Sequence, residues 1–343
     1  MVAGWRVLRW CMRIFQLGRR VSGAVAAVLL ANCGSSVFQT PGGHPNGTLA
    51  RSSFHAKRAA SWVSQDASRA TLLSVTDAND NFVYLISLPS GKLIGRLTGF
   101  DQPTGDCSDA SGDVFITDSQ ASEVLEYKHA SKSAFNVVAD HPNIPTGCSV
   151  DPTTGNLAVA NCCGETTHSG SFAIYKHAKG EPKYYRDPSM YVDWFCTYDG
   201  LGDLFVSGIN SGYSFQIDEL PAGSQKVEQL TLDPVIAGDV SPAILWDGTY
   251  LAIESPGSGE IYQYAVGGSV ATLVHTISLR GFSGVSGPFW VASKGGTQTL
   301  YATVSNNSIS SVGILRYPRG GKAIEDLYDV VEPFAVTLSL AQK

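Results

Sequence analysis

Short apolar runs recur along the chain at near-constant spacing. Leu72–Asp77, Val114–Asp118, Leu157–Asn161, Leu204–Ser207, Leu251–Glu254 and Leu300–Val304 begin 42, 43, 47, 47 and 49 residues apart. Each is followed, after a loop, by an alternating run: Val83–Leu88, Val124–Tyr127, Phe172–Tyr175, Ser214–Leu220, Ile261–Ala265 and Gly313–Tyr317. A third run follows each of these: Leu93–Leu97, Phe135–Ala139, Lys183–Tyr185, Val227–Leu232, Leu273–Leu279 and Ile324–Tyr328. Short or alternating apolar runs read as β-strands, because successive side chains of a strand point to opposite faces. The punctuation is of turn type: Ser90-Gly91, Ser111-Gly112, Thr154-Gly155, Asp199-Gly200 and Asp247-Gly248.

Two motifs repeat outright. Pro103-Thr104-Gly105-Asp106-Cys107 returns as Pro145-Thr146-Gly147-Cys148, and Glu126-Tyr127-Lys128-His129-Ala130 as Ile174-Tyr175-Lys176-His177-Ala178. A fourth strand begins ahead of five of the units, near Pro103, Pro145, Asp193, Pro242 and Pro288, and the first unit has none. The C-terminal run Pro333–Ser339 supplies it. A tail strand that completes the head unit closes a ring and removes exposed sheet edges. Thr71 to Leu340 spans 270 residues, 45 for each of six units. The pattern predicts an all-β chain: a six-bladed β-propeller, four antiparallel strands per blade, closed by the C-terminal strand joining the N-terminal blade.

Composition adds two exclusions. With 43% hydrophobic and 16% charged residues the chain is neither disordered nor a coiled coil. No apolar run approaches the length of a membrane-spanning helix. Formal net charge is −6, but Arg6, Arg9, Arg13, Arg19 and Arg20 all precede Cys33. Without residues 1–32, 19 basic residues face 30 acidic ones, a net −11, so nucleic acid is excluded as a partner.

Residues 1–33 read as a signal peptide. An arginine-bearing start leads to an apolar stretch of 11 residues, Val21 to Ala31, which ends at Asn32-Cys33-Gly34-Ser35. The end is similar to a bacterial lipobox, a resemblance that implies lipidation of Cys33; the competing readings are a plain cleaved signal with an incidental cysteine and an uncleaved anchor. Residues 34–70 read as a flexible tether, and 71–343 as the propeller. This organisation places the protein outside the cytoplasm, in the periplasm or at the cell surface, with the membrane touched only through a lipid anchor.

Val114-Phe115-Ile116-Thr117-Asp118-Ser119 followed by Val124-Leu125-Glu126-Tyr127 resembles an NHL repeat, and residues 71–340 resemble the exported NHL-type and gluconolactonase-type propellers. That superfamily includes binding scaffolds, hydrolases and lyases. Lactonase-type relatives hold a divalent metal on the axis, and the resemblance offers Asp106, Asn161, Asp193 and Glu254 as ligands for Ca²⁺. The competing reading of the carboxylates and amide that end the second strands (Asp77, Asp118, Asn161, Glu254) is turn capping.

Five cysteines remain after Cys11 and Cys33. Antiparallel pairing predicts Cys148 beside Cys162 or Cys163, with Cys107–Cys196 as a second pairing. Vicinal cysteines lack the spacing of zinc or thioredoxin motifs. His129 and His177 are expected in solvent at the ends of third strands. His168 lies on the longest loop of its blade. The aromatic stretch Tyr184, Tyr185, Tyr191, Trp194 and Phe195 packs between blades or offers a stacking patch for peptide or glycan. Nucleophile-elbow, zincin, Walker, dinucleotide and haem motifs are absent from the sequence. The expectation is a monomeric binding propeller without cofactor or catalytic set, whose partner is an envelope protein, peptide or glycan. The alternatives are a metal-dependent lactonase-type hydrolase or lyase, and a structural envelope component.

Overall fold

The computed structural model describes residues 60–343 except 165–168, 237–241, 256–257, 283, 286, 307–308, 328–329, 331–332 and 342–343. The export signal, Cys33, the tether as far as residue 59 and His168 lie outside the described residues. Among the described residues, no helix is long and apolar enough to cross a membrane.

The chain runs as successive antiparallel meanders. The first is β1 (Trp62–Val63), β2 (Thr71–Asp77), β3 (Phe82–Leu88) and β4 (Lys92–Thr98). The second is β5 (Pro103–Ser108), β6 (Val114–Asp118), β7 (Glu123–Tyr127) and β8 (Asn136–Ala139). The third is β9 (Asn143–Val150), β10 (Leu157–Gly164), β11 (Ser171–Tyr175) and β12 (Lys183–Tyr185). Then come β13 (Met190–Tyr198), β14 (Leu204–Asn210), β15 (Phe215–Leu220) and β16 (Glu228–Asp233). They are followed by β17 (Ile244–Trp246), β18 (Leu251–Ser255), β19 (Glu260–Gly267) and β20 (Val270–Ser278). The last stretch holds β21 (Gly284–Val285), β22 (Trp290–Lys294), β23 (Thr297–Asn306), β24 (Ile309–Tyr317), β25 (Glu325–Leu327) and β26 (Val336–Ser339).

The tail does return to the head. β26 pairs antiparallel with β2, with Leu72 opposite Ser339 and Val75 opposite Val336. All four residues of β26 are buried, and Phe334 N–H donates to Thr76 O at 2.8 Å ahead of the ladder. Fully buried second strands such as Val114–Asp118 explain the continuous apolar runs. Outer strands such as Glu228–Asp233 alternate between buried and exposed because one face meets water.

Sheets pack face to face around an axis, as in a propeller. Val83, Leu85 and Leu97 of the first meander meet Val114, Ile116 and Tyr127 of the second. Phe115 and Val124 meet Leu157, Val159 and Tyr175 of the third, and Ala158 and Phe172 meet Val206 and Leu220 of the fourth. Leu73 and Val75 meet Val312, Ile314 and Leu327 across the seam between the chain's two ends.

The Pro-Thr-Gly repeat has a structural cause. A Cβ on Gly105 would lie 2.4 Å from Thr146 O, and one on Gly147 would lie 2.9 Å from Trp194 O, so only glycine lets one inner strand approach the next. The preceding threonine donates across that gap, from Thr104 Oγ1 to Pro145 O at 3.4 Å and from Thr146 Oγ1 to Trp194 O at 2.8 Å. From second strands, Ser207 Oγ donates to Pro242 O at 3.1 Å and Thr303 Oγ1 to Phe334 O at 3.3 Å.

Three features depart from the sequence reading. The folded region starts before residue 71: Trp62 and Val63 pair with Arg96 and Gly95, a 3₁₀ turn spans Gln65–Arg69, and Ala67 is buried. The fourth and fifth meanders share one eight-stranded sheet, because β16 and β20 pair in parallel from Thr231↔Val270 to Asp233↔Thr272. That contact covers two outer edges that would otherwise be open. Hydrogen bonding therefore gives five sheets among the described residues. His177 is exposed as expected, but His129 is half-buried, with Nδ1 2.7 Å from Ser339 Oγ and Nε2 3.2 Å from Ala67 O.

Candidate functional site on the axis and its mouth

The inner strands enclose an axial cavity of about 140 Å³, whose wall includes Asp106, Cys107, Cys148, Cys196, Trp246 and Trp290. Such a volume holds a cluster of roughly ten waters or one small molecule. Asp106 is the carboxylate on this wall. It is 6% exposed, and neither of its oxygens completes a hydrogen bond. Burial pushes its carboxyl up to about 8, against a small opposing pull from the Ser74 hydroxyl. Burial thus favours the neutral form of this acid over the ionised one.

The sulfur chemistry differs from the expected pairing. Cys107 is disulfide-bonded to Cys148, with Cα atoms 5.7 Å apart. Cys148 is not joined to Cys162 or Cys163, and Cys107 is not joined to Cys196. Register explains this: Cys148 lies opposite Val159, whereas Cys162 and Cys163 lie beyond Asn161, at the other end of the strand. The inner-strand neighbour in the adjacent meander is nearer than the sheet partner. Counting back from the turn aspartates Asp109, Asp151 and Asp199, which accept turn N–H groups in the same way, makes Cys107 equivalent to Ser149 and Cys148 equivalent to Cys196. Cys196 thus faces a serine where Cys148 faces a cysteine. It stays a buried thiol, and burial pushes it up to about 12.

The four residues offered as a metal set are not brought together. Asp193 lies six residues before its turn aspartate Asp199 and Asp106 three before Asp109, a difference of about 10 Å along an inner strand. Asp193 is buried against Gly170 of the third meander, and burial together with the Asp218 carboxylate holds it well above the usual range, opposed by Arg186. Asn161 leans toward Asp140, yet neither its amide atoms nor Asp140 Oδ2 completes a hydrogen bond. Glu254 Oε2 accepts the Ala243 N–H at 3.2 Å, and burial pushes its carboxyl up to about 8. Among the described residues, no group of three or more His, Cys, Asp or Glu is placed to hold a metal ion. Separated, largely neutral carboxyls do not fit a hard dication that takes six to eight oxygens. Asp77 behaves as a turn cap, its Oδ1 accepting from Asn79 and Asp80 N–H, whereas both Asp118 oxygens accept from Asp101 N at 2.8 Å in the connection ahead of β5.

One mouth of the propeller carries an aromatic pair. Tyr191 at the start of β13 and Tyr213 in the β14–β15 turn meet edge to face, with centroids 6.1 Å apart at 68°. Tyr213 is 42% exposed and sits at φ 62°, a left-handed conformation rare for an aromatic residue. On β15, which follows the Tyr213 turn, Gln216 Nε2 donates to Asp218 Oδ1 at 2.7 Å, and burial pushes the Asp218 carboxyl up to about 7. Sequence reasoning reached Tyr191 through its aromatic stretch and missed Tyr213, Gln216 and Asp218. The alternation Gln216, Ile217, Asp218 puts the two polar side chains on one face, which is a legible signal, but burial of that face is not.

Comparison with known proteins supports the fold alone. No protein-family model and no curated protein matches the chain. A solved protein of unknown function from Bacteroides caccae is 11% identical at a TM-score of 0.59, over 79% of this chain and 99% of that one. A chain of a solved nidogen/laminin complex is 13% identical at a TM-score of 0.61, over 80% of this chain and 100% of that one. Together with the sheet arrangement, these likenesses make this chain β-propeller-like.

Proposed function

We propose that the chain is an extracytoplasmic β-propeller that binds a protein segment at the mouth bearing Tyr191 and Tyr213. On this reading the eight-stranded sheet counts as two blades fused at their outer edges, giving six blades in all, and residues 1–33 export the protein and leave Cys33 as a lipid anchor. The observation that carries the reading is Tyr213: an aromatic side chain, nearly half exposed, held on a left-handed backbone beside a second tyrosine. Residues in sparsely populated backbone regions cluster at functional sites, and tyrosine is enriched among the anchors of binding surfaces. The acidic balance of the body favours a neutral or basic partner. One solved neighbour belongs to a complex of two proteins, nidogen with laminin, which is in keeping with a binding role for this architecture.

The lactonase-type reading is the weaker one, because the carboxylates that would share a metal stand at different depths. Two measurements separate the readings. Capture from envelope extract on immobilised wild-type protein should retain a partner that the Tyr191→Ala/Tyr213→Ala double variant loses; equal capture by both, or none by either, refutes the mouth as the binding site. Stabilisation by Ca²⁺ that a chelator reverses would instead favour the axial metal.

A further inference from the structure

We infer that Cys162 and Cys163 form a vicinal dithiol site that closes to a disulfide by exchange with a small-molecule disulfide. Consecutive side chains on a regular strand point to opposite faces, which would hold two neighbouring thiols well apart. Here their Sγ atoms are 3.3 Å apart. The cause is in the register of β10 on β9. Asn161 pairs with Pro145 and Gly164 with Asn143, so Cys162 and Cys163 together oppose Ile144 alone. Two residues against one is a β-bulge, which re-aims side chains and is a device common beside functional sites. The gap to be closed is about 1.3 Å from contact to a bond length of about 2.05 Å. Neither residue belongs to the Cys107–Cys148 cross-link.

The two thiols differ in access, and this sets the order of events. Cys163 is half-buried and Cys162 is 1% exposed. Cys163, as thiolate, attacks one sulfur of the reagent disulfide. A Cys163–reagent bond forms, the reagent S–S bond breaks, and one reagent thiolate leaves and takes up the proton that Cys163 released. Cys162, as thiolate, then attacks Cys163 Sγ; the Cys162–Cys163 bond forms and the second reagent thiolate leaves with a proton. The protein loses two electrons and two hydrogens, and one reagent disulfide becomes two thiols. Because the resolving thiol is the adjacent residue, the mixed disulfide is short-lived. The eight-membered ring that results contains the Cys162–Cys163 peptide, so oxidation reshapes the bulge itself. The site requires no metal and no other residue of the chain.

The test treats the full chain with a mild thiol reductant that spares Cys107–Cys148, then with oxidised glutathione, followed by acid quench and peptide mass mapping. The expected result is a loss of two hydrogens within the peptide holding both cysteines, with no lasting glutathione adduct. Prior treatment with phenylarsine oxide, which bridges adjacent thiols, should block that loss. Cys162→Ser should instead accumulate glutathione on Cys163, and Cys196→Ser should behave as wild type. A lasting adduct on wild-type Cys163, an unreacted pair, or a cross-link from either residue to Cys148 or Cys196 overturns the inference. The wild-type mapping decides the matter even if a variant fails to fold. It is also independent of the binding role, since it reads no partner.

Discussion

His129 Nδ1 lies 2.7 Å from Ser339 Oγ, which ties the end of a third strand to the closing strand 210 residues further on. The same hydroxyl donates to Gly112 O, so Ser339 serves two turns of the second meander at once. Its repeat mate His177 is exposed. Replacing His129 by Ala should cost about 0.5–1.5 kcal/mol through the loss of its bonds to Ser339 and Ala67, whereas His177→Ala should change stability by less than about 0.5 kcal/mol. Urea unfolding of the two variants provides the comparison, and equal effects would contradict the assigned role.

The repeat equivalence predicts a new cross-link. Ser149 stands to Cys196 as Cys107 stands to Cys148. Ser149→Cys should therefore form a second axial disulfide, seen as loss of the Cys196 thiol in mass mapping under oxidising conditions. A closed loop of this length is worth about 4 kcal/mol in the chain-entropy account. A variant that keeps both thiols would show that the two positions are not equivalent.

Buried neutral acids give the stability a definite pH dependence. Asp106 and Glu254 are pushed up to about 8 by burial, whereas unfolded carboxyls titrate at about 4. The folded chain therefore holds protons that the unfolded chain releases. This contribution is fully present below about pH 4 and is lost as pH rises toward 8. Wild-type Tm should fall over that interval, and Asp106→Asn should flatten the fall by about 2–5 kcal/mol in unfolding free energy. A variant with an unchanged slope would mean that Asp106 is ionised in the folded protein.

Close approach of inner strands makes Gly105 intolerant of a side chain. A Cβ there meets a backbone oxygen at 2.4 Å and Thr117 Oγ1 at 2.9 Å. Gly105→Ala should destabilise by about 2–4 kcal/mol as the strands are forced apart. Thermal unfolding checks this, and a neutral result would show that the inner strands can shift apart.

Much of the fold was legible because strand burial follows distance from the axis. Second strands carry short runs of buried, mostly apolar residues, an outer strand such as Glu228–Asp233 alternates, and the turns carry Asp and Gly. The lone return of Val336–Ser339 could be inferred because an incomplete first unit and a surplus tail strand imply each other. The parallel contact of β16 with β20 could not, since Thr231–Asp233 and Val270–Thr272 carry only outer-strand polarity. The disulfide was misplaced because sequence reasoning weighed contacts within a sheet, whereas Cys107 and Cys148 meet between sheets. Asp106, Asn161, Asp193 and Glu254 are not gathered at one point for a related reason: depth along the axis and side-chain direction are not written in a short motif. Tyr213 acquires its significance from a backbone angle that no composition reveals.

Ring closure is the claim on which the site assignments rest, and hydrogen–deuterium exchange reads it directly. Amides of Val336–Ser339 should exchange with the same high protection as those of Thr71–Asp77, because the two strands open together. Fast exchange at Val336–Ser339 alongside slow exchange at Thr71–Asp77 would show an unpaired tail and contradict the closed ring.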